Sequence, residues 1–476
     1  MNQLRSATVR GLFTYSSSNA LQLLINIAIT GILARLLSPK DFGLLGIVSV
    51  YTAFVSMFSN LGLGSAIVQK QDIDNRQLST LFWIGLAGGI FSAVLIALSA
   101  YPISWFYDEP KLFRLTLVLA INFLISPLYQ INRKLLEKDL RFSALAASNV
   151  IASLVSGGAG VVSAFSGLGV WSLVIQSIIL NVSFLFLYFL QRKWIPEFVF
   201  EINRCRELIR FGTHMVGSNL ALYFERNLDS MIIGKLLGAT LLGYYTLAIR
   251  VMYLPIRQIS YIFTDVLFPV FSKVNADLDT VRKGYLKAIR FTSMITFPLM
   301  TLIYLFSDTL VASLVGPKWL PSAEIIRILA PAGAIQSVVQ IGWVVFPAMN
   351  LPDVRMKLGM YNVISIALAV VIGSNWGIKG VSGGILLSRV GIFVVSKILL
   401  SRVLNTGFTD LLHNLKNSTM GCFIILICYL STNLVLNGDL NKMIVVILLS
   451  VFYLFCYLLY IWIFSREDVL YVFGKQ

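Results

Sequence analysis

Charged side chains inside long apolar stretches are the chemically distinctive feature of this 476-residue sequence. A charge near the centre of a membrane-spanning helix costs about 2.5–3.5 kcal/mol on insertion scales. Such a residue therefore usually faces a wet cavity, pairs with an opposite charge, or does both. The candidates are Glu225, Arg226, Asp229, Arg250, Arg257 and Arg389.

The arginines predict a site for an anion. A guanidinium group holds phosphate through a planar fork of donors, so Arg226, Arg250, Arg257 and Arg389 are predicted to contact an anionic, phosphate-bearing substrate. For Arg257 and Arg389, pairing with a carboxylate such as Asp265 is the alternative interpretation.

Polar amides follow one face of the first apolar stretch. Asn19, Gln22, Asn26 and Thr30 recur at spacings of three and four, which places them on one side of a helix. Asn19 and Asn26 are predicted to contact a sugar-bearing substrate. Hydrogen bonds between helices are an equally good explanation of these two amides.

The acidic residues Glu225 and Asp229 lie four apart and share a helix face. Asp229 and Arg250 lie at similar depth on either side of a short turn, so they are candidates for a permanent ion pair. Coupling of transport to an ion is the other hypothesis for Glu225 and Asp229. Pro255 lies between Arg250 and Arg257, removes one backbone hydrogen bond and predicts a bend.

The elements that must position these residues are membrane-spanning helices. The sequence is 57% hydrophobic and 13% charged, whereas soluble chains carry about 25% charge. Apolar stretches of roughly 20 residues, enough to cross hydrocarbon, predict an all-α polytopic membrane protein of about fourteen helices. The predicted spans are 11–37, 42–63, 79–103, 112–131, 143–166, 168–190, 211–237, 241–271, 289–315, 322–347, 356–375, 379–404, 418–437 and 442–464.

Loop charges predict the orientation. Lysine and arginine concentrate in alternate connections, and cytoplasmic loops collect these residues. Both termini are therefore predicted to be cytoplasmic, and the first stretch is predicted to be retained rather than cleaved as a signal peptide. The net charge of +16 is explained by this topology, so nucleic-acid binding is not predicted. The four cysteines and two histidines lack metal-ligand spacing, and no metal or cofactor is predicted.

The chain repeats itself weakly. Three residues near the end of the first predicted helix, Leu36, Leu37 and Gly43, recur 200 positions later as Leu236, Leu237 and Gly243. Further matches occur at offsets of 211 and 213, also at corresponding places in the order of helices. Six helices per half give a parallel repeat about an axis along the membrane normal. The predicted divisions are a lobe at 1–200, a lobe at 201–405, and two extra helices with a tail at 406–476.

Four motifs carry a family resemblance. They are ARLLSPKDFG at 34–43, LGLGSAIVQ at 61–69, RNLD at 226–229 followed by GKLLG at 234–238 and LGYY at 242–245, and GPKWLP at 316–321. On these motifs the chain resembles the polysaccharide transporters of the multidrug/oligosaccharidyl-lipid/polysaccharide flippase superfamily, particularly the lipopolysaccharide or colanic-acid-type flippases of the bacterial inner membrane.

The resemblance implies a function that spacing does not show. Such proteins move undecaprenyl-diphosphate-linked oligosaccharide repeat units from the cytoplasmic to the periplasmic leaflet by alternating access, for export of surface polysaccharide. The implied partners are this lipid-linked oligosaccharide, membrane lipids, and the polysaccharide polymerase with its chain-length machinery. The resemblance gives no position-by-position match for the arginines.

Three other functions compete with this prediction. A membrane polysaccharide polymerase or lipid-linked glycosyltransferase is an enzyme and usually needs a sizeable extracytoplasmic loop or an acidic catalytic motif, whereas every predicted loop on that side is short. A cation-coupled drug antiporter of the same superfamily would favour an acidic cavity, whereas this interior is predicted to be net basic. A purely structural membrane protein would not need charges in the helices of a repeat.

Overall fold

Every regular element in the described parts of this computed structural model is helical. The structure describes residues 20–60, 67, 73–435, 452, 453 and 457, without the side chains of 58–60, 202–222 and 432–435. The α-helices are α1 (Ala20–Leu36), α2 (Pro39–Asn60), α3 (Asn75–Tyr107), α4 (Lys111–Lys138), α5 (Phe142–Phe165), α6 (Trp171–Gln191), α7 (Ile202–Pro255), α8 (Tyr261–Lys273), α9 (Leu278–Leu305), α10 (Ser307–Leu314), α11 (Leu320–Ala348), α12 (Pro352–Gly373), α13 (Gly377–Leu404) and α14 (Phe408–Val435).

Ten segments of the described chain are long and apolar enough to cross a membrane. Two of them, Tyr223–Lys273 and Pro352–Leu404, contain 51 and 53 residues and are interrupted by breaks. The protein is therefore an all-α, multi-pass membrane protein, as the sequence predicts. The count of fourteen stays a prediction, because the predicted span 11–37 is described only from residue 20, and nearly all of the predicted span 442–464 lies outside the described residues.

Several helices begin earlier than hydropathy predicts. Helix α9 begins at Leu278 rather than 289, and α14 at Phe408 rather than 418. These first turns carry charged residues and are invisible to a search for apolar runs. Asp277 caps α9, accepting hydrogen bonds from the Thr280 backbone N–H at 3.1 Å and hydroxyl at 2.6 Å. Both hydrogen bonds hold the pKa of the Asp277 carboxyl below its ordinary value, and the bond from the Thr280 hydroxyl has the larger effect.

Two residues interrupt the long segment that begins with α7. Gly238 has φ +83° and ψ 171°, which breaks the helix where the sequence predicts a turn. Pro255 ends α7, and the next five residues, Ile256–Ser260, form a π-helical turn in which the Tyr261 N–H bonds to the Ile256 carbonyl. The sequence predicts a bend at Pro255. The structure has a π-helical turn directly after this residue, which inserts one residue into the helical register, and the bend itself stays a prediction.

Residue contacts divide the chain into two compact units, Met1–Gly243 and Tyr244–Gln476. The predicted lobes at 1–200 and 201–405 follow the sequence repeat rather than these contacts, and they stay a prediction.

Within the first unit, two glycines separated by 200 positions make reciprocal backbone contacts. A Cβ added to Gly43 would lie 1.7 Å from the carbonyl oxygen of Ala239, and a Cβ added to Gly243 would lie 1.9 Å from that of Pro39. The partners Pro39 and Ala239 are also 200 apart. The contact is reciprocal, because each of the two segments presents a glycine to a backbone carbonyl of the other. Only glycine allows so close an approach.

A buried lysine closes the connection between α13 and α14 in the second unit. Lys397 is 3% exposed, and its ammonium donates to the Thr406 carbonyl at 3.2 Å and the Thr406 hydroxyl at 2.8 Å. Nearby, Asp410 of α14 pairs with Arg282 of α9 at 3.0 Å. These contacts fix the start of α14 on the rest of the unit.

Candidate functional site

Among the predicted site residues that the structure describes, Arg389 is the most deeply buried. It lies on α13, is 5% exposed, and donates through Nη1 to Asn362 Oδ1 at 3.1 Å and through Nη2 to the Tyr253 hydroxyl at 3.4 Å. Its Nε has no hydrogen-bond partner. Within the described residues it makes no ion pair, so a buried positive charge is held by neutral groups.

Small residues bring α12 and α13 close enough to build this network. The Ser365 and Ser388 hydroxyls hydrogen-bond at 2.7 Å, and a Cβ added to Gly384 would lie 2.7 Å from the Ala369 carbonyl oxygen. Close backbone approach through small and polar residues is typical of helix pairs in membranes. The packing therefore fixes Arg389 beside α12.

Arg250 and Arg257 lie on either side of Pro255, and both side chains are exposed. Neither makes an ion pair or hydrogen bond with another described side chain of the second unit. Asp265, the carboxylate considered as their partner from the sequence, is also exposed and likewise unpaired among the described residues. The alternative of pairing with Asp265 therefore finds no support for Arg257 or Arg389.

In a regular helix, Tyr253, Tyr261 and Thr264 would extend the stripe of Arg250 and Arg257 at helical spacing. The π-helical turn after Pro255 changes this stripe. The extra residue shifts every later position around the helix axis. Thr264 is consequently buried, with its hydroxyl donating to the Tyr261 carbonyl at 2.7 Å, whereas Arg250 and Arg257 are exposed. A π-helical turn frequently marks a functional site.

The acidic group on α7 lies in the first unit. Glu225 and Asp229 are half-buried and Arg226 is exposed. Asp229 Oδ1 accepts from the Ser230 backbone N–H at 2.6 Å and from its hydroxyl at 3.3 Å. The predicted partners Asp229 and Arg250 belong to different units, and their ion pair stays a prediction.

The polar face of helix α1 makes a hydrogen bond to a neighbouring helix. Gln22 Nε2 donates to the Ser153 hydroxyl of α5 at 3.4 Å, which is a hydrogen bond between helices. Asn26 is exposed, whereas Asn19 lies outside the described residues. The roles of Asn19 and Asn26 toward a substrate stay predictions.

The sequence does not single out several polar side chains that join these helices. Asn362 is fully buried against Arg389, yet in the sequence it is one amide in an apolar stretch. In the first unit, Tyr107 donates to the Met231 carbonyl at 3.3 Å and Tyr223 to the Val50 carbonyl at 2.7 Å. Only a known contact between these helices would have singled them out.

Known proteins are similar to this chain in sequence and in fold. The model of a family described as "Polysaccharide biosynthesis protein" matches residues 32–324. The teichuronic acid biosynthesis protein TuaB of Bacillus subtilis (strain 168) is 32% identical over 287 residues, which are 60% of this chain and 59% of TuaB. The chain therefore spans less than two thirds of that relative's length.

Two further proteins match more of the chain. The lipopolysaccharide biosynthesis protein WzxC of Escherichia coli (strain K12) is 27% identical over 394 residues, 81% of this chain and 79% of WzxC. A solved structure of the lipid II flippase MurJ, in an inward closed conformation, has a TM-score of 0.74 at 14% identity, covering 96% of this chain and 99% of MurJ. The described helices therefore adopt a MurJ-like fold.

Proposed function

Because the chain belongs to the polysaccharide biosynthesis protein family, we propose that it moves undecaprenyl-diphosphate-linked oligosaccharide repeat units from the cytoplasmic to the outer leaflet of the bacterial plasma membrane. The family resemblance drawn from the sequence motifs is confirmed by the family match and by the relatives. The likeness to a lipid flippase supports transport rather than an enzymatic reaction.

The unpaired arginines of the second unit carry the proposal about the substrate. Arg250 and Arg257 are exposed, Arg389 is buried, and none makes an ion pair within the described residues. Cations retained in spanning helices without carboxylates favour an anionic cargo, and a diphosphate offers several acceptor oxygens to guanidinium forks. The same observation disfavours a drug antiporter, which would need acidic groups for cationic substrates.

The working cycle and orientation are part of the proposal. Parallel repeats in transporters usually move against each other around a fixed site, and we assign this alternating access to the chain. Loop charges support cytoplasmic termini. The polysaccharide polymerase and chain-length machinery would act on the exported units, which makes them the expected partners.

Removing Arg250 or Arg257 is expected to slow transport. In proteoliposomes loaded with undecaprenyl-diphosphate-linked oligosaccharide, appearance of sugar at the outer leaflet is measured by lectin binding. Arg250→Ala and Arg257→Ala should each lower the rate roughly tenfold to a hundredfold, because a hydrogen bond to a charged group contributes about 1.5–3 kcal/mol.

Arg402→Ala is the matched control, since Arg402 is an exposed arginine near the end of α13. It should transport at the wild-type rate. Wild-type rates in both test variants, with folded protein confirmed by size-exclusion chromatography, would rule out a role for these arginines in substrate binding.

Glu225 and Asp229 are the proposed groups for ion coupling. Both are half-buried carboxylates in a spanning helix, where ionisable residues often serve ion pathways. The double variant Glu225→Gln with Asp229→Asn should lose most of the dependence of transport on pH or sodium gradients. Glu137→Gln with Asp139→Asn, at the end of α4, serves as control. An unchanged gradient dependence in the first variant would make Glu225 and Asp229 structural.

A further inference from the structure

A cavity of about 360 Å³ lies within the second unit, between α8, α11 and α12. Small-molecule sites commonly measure about 300–1,000 Å³, so this cavity has the size of a binding site. The side chains that give it chemical character are Thr264, Asp265, Phe268, Gln340, Trp343 and Arg355. None of them belongs to the arginine set described above.

The cavity combines opposite charges with neutral donors and acceptors. Asp265 supplies a carboxylate that makes no hydrogen bond or ion pair with another described side chain, and Arg355 supplies a guanidinium. Gln340 Oε1 accepts from Gln336 Nε2 at 3.5 Å, while the Gln340 amide N–H groups have no acceptor in the described part of the chain. A phosphate would meet the Asp265 carboxylate and a cation would meet Arg355, so neither is favoured.

Stacking holds one of these groups in place. The Arg355 guanidinium lies 3.9 Å from the centre of the Trp343 ring. Trp343 is 3% exposed, and its Nε1 donates to the Ser396 hydroxyl of α13 at 3.1 Å. Burial and the Ser396 hydrogen bond hold the Trp343 ring in place, and the ring in turn positions the Arg355 guanidinium. By contrast Phe268 is 46% exposed and offers an accessible apolar surface on the cavity wall.

We propose that this cavity binds a neutral, hydroxyl-rich ring, namely a sugar of the lipid-linked substrate. Sugar hydroxyls both donate and accept, which matches Asp265, Gln340 and Arg355, and the C–H face of a sugar ring packs on an aromatic surface such as Phe268. The inference rests on the proposed function. Arg257 and Asp265 are eight residues apart, about 12 Å along a helix, so a substrate with its diphosphate at Arg257 can extend its sugars toward the cavity.

Binding of two lipids by the full-length protein in nanodiscs tests the cavity. The probes are undecaprenyl diphosphate, and undecaprenyl diphosphate carrying a trisaccharide of neutral hexoses, measured by native mass spectrometry. Wild-type protein should bind the saccharide lipid more tightly. Asp265→Asn and Gln340→Leu should each weaken that binding about threefold to tenfold, the effect of one or two lost hydrogen bonds, and leave binding of undecaprenyl diphosphate unchanged.

Asp353→Asn, an exposed carboxylate at the start of α12 that does not line the cavity, should behave as wild type. Equal binding of the two lipids by wild-type protein, or full saccharide binding by both test variants, would overturn the sugar site alone. Failure of wild-type protein to bind either lipid would instead overturn the proposed function. Thermal unfolding of each variant separates loss of binding from loss of fold.

Discussion

Adding one methyl group at Gly43 or Gly243 is expected to destabilise the first unit severely. The new Cβ would lie 1.7 Å from the Ala239 carbonyl oxygen or 1.9 Å from the Pro39 carbonyl oxygen. Real Cβ atoms do not approach backbone oxygen so closely, and neither partner is a flexible side chain that could turn away. Backbone must separate, and overpacking of this kind costs about 1–3 kcal/mol, occasionally more.

Thermal unfolding in detergent measures this effect. A loss of about 3 kcal/mol corresponds to a fall of roughly 6–12 °C in Tm for a unit of this size, and the folded yield should fall with it. Gly158→Ala on α5 is the matched control, because a Cβ there meets nothing within 4 Å. It should stay within about 1 kcal/mol of wild type. A Gly43→Ala protein as stable as this control would show that the close approach is not required.

Replacing Arg389 with methionine is expected to separate stability from transport. The guanidinium is 5% exposed and pairs with no carboxylate in the described chain, and burying an ion without a counter-charge costs several kcal/mol. Methionine fills a similar volume without that cost, and the loss of the donors to Asn362 and Tyr253 offsets only part of the gain. Arg389→Met should therefore keep or raise Tm, while transport in proteoliposomes falls by about tenfold or more if the charge serves an anionic substrate.

Lys397→Met is the informative comparison, since Lys397 is a second buried cation on the same helix. Its ammonium is attracted by the Asp410 carboxylate and donates to the Thr406 carbonyl and hydroxyl. Methionine there removes a cation whose burial is compensated, so it should lower Tm. If Arg389→Met lowers Tm as much as Lys397→Met, then Arg389 holds the fold through Asn362 and Tyr253, and its retention needs no substrate.

The sequence predicts the positions of the spans well because an apolar run is a local property. It also predicts the turn at Gly238, which follows from one residue's backbone chemistry. The bend that it predicts at Pro255 does not specify the π-helical turn that follows this residue. It does not predict the first turns of α9 and α14, whose charged residues extend helices beyond the apolar core. Helix ends of that kind depend on packing with neighbouring helices.

The site could be predicted only in part, for a physical reason. A charge in an apolar stretch is visible in the sequence, so Arg250, Arg257 and Arg389 can be singled out. Whether such a charge is buried depends on helix packing, which makes Arg389 buried and the other two exposed. The cavity proposed to bind a sugar could not be predicted from the sequence, because Asp265, Gln340 and Arg355 come from three helices and share no spacing.

The π-helical turn at Ile256–Ser260 makes the direction of later side chains sensitive to chain length. Such a turn is an α-helix with one added residue, and each residue rotates the path by about 100°. A chain one residue shorter in this turn would keep a continuous helix, yet Asp265 would point about 100° away from its present direction relative to Arg250. Substrate choice in related chains can therefore change through a single-residue deletion that alters no binding side chain.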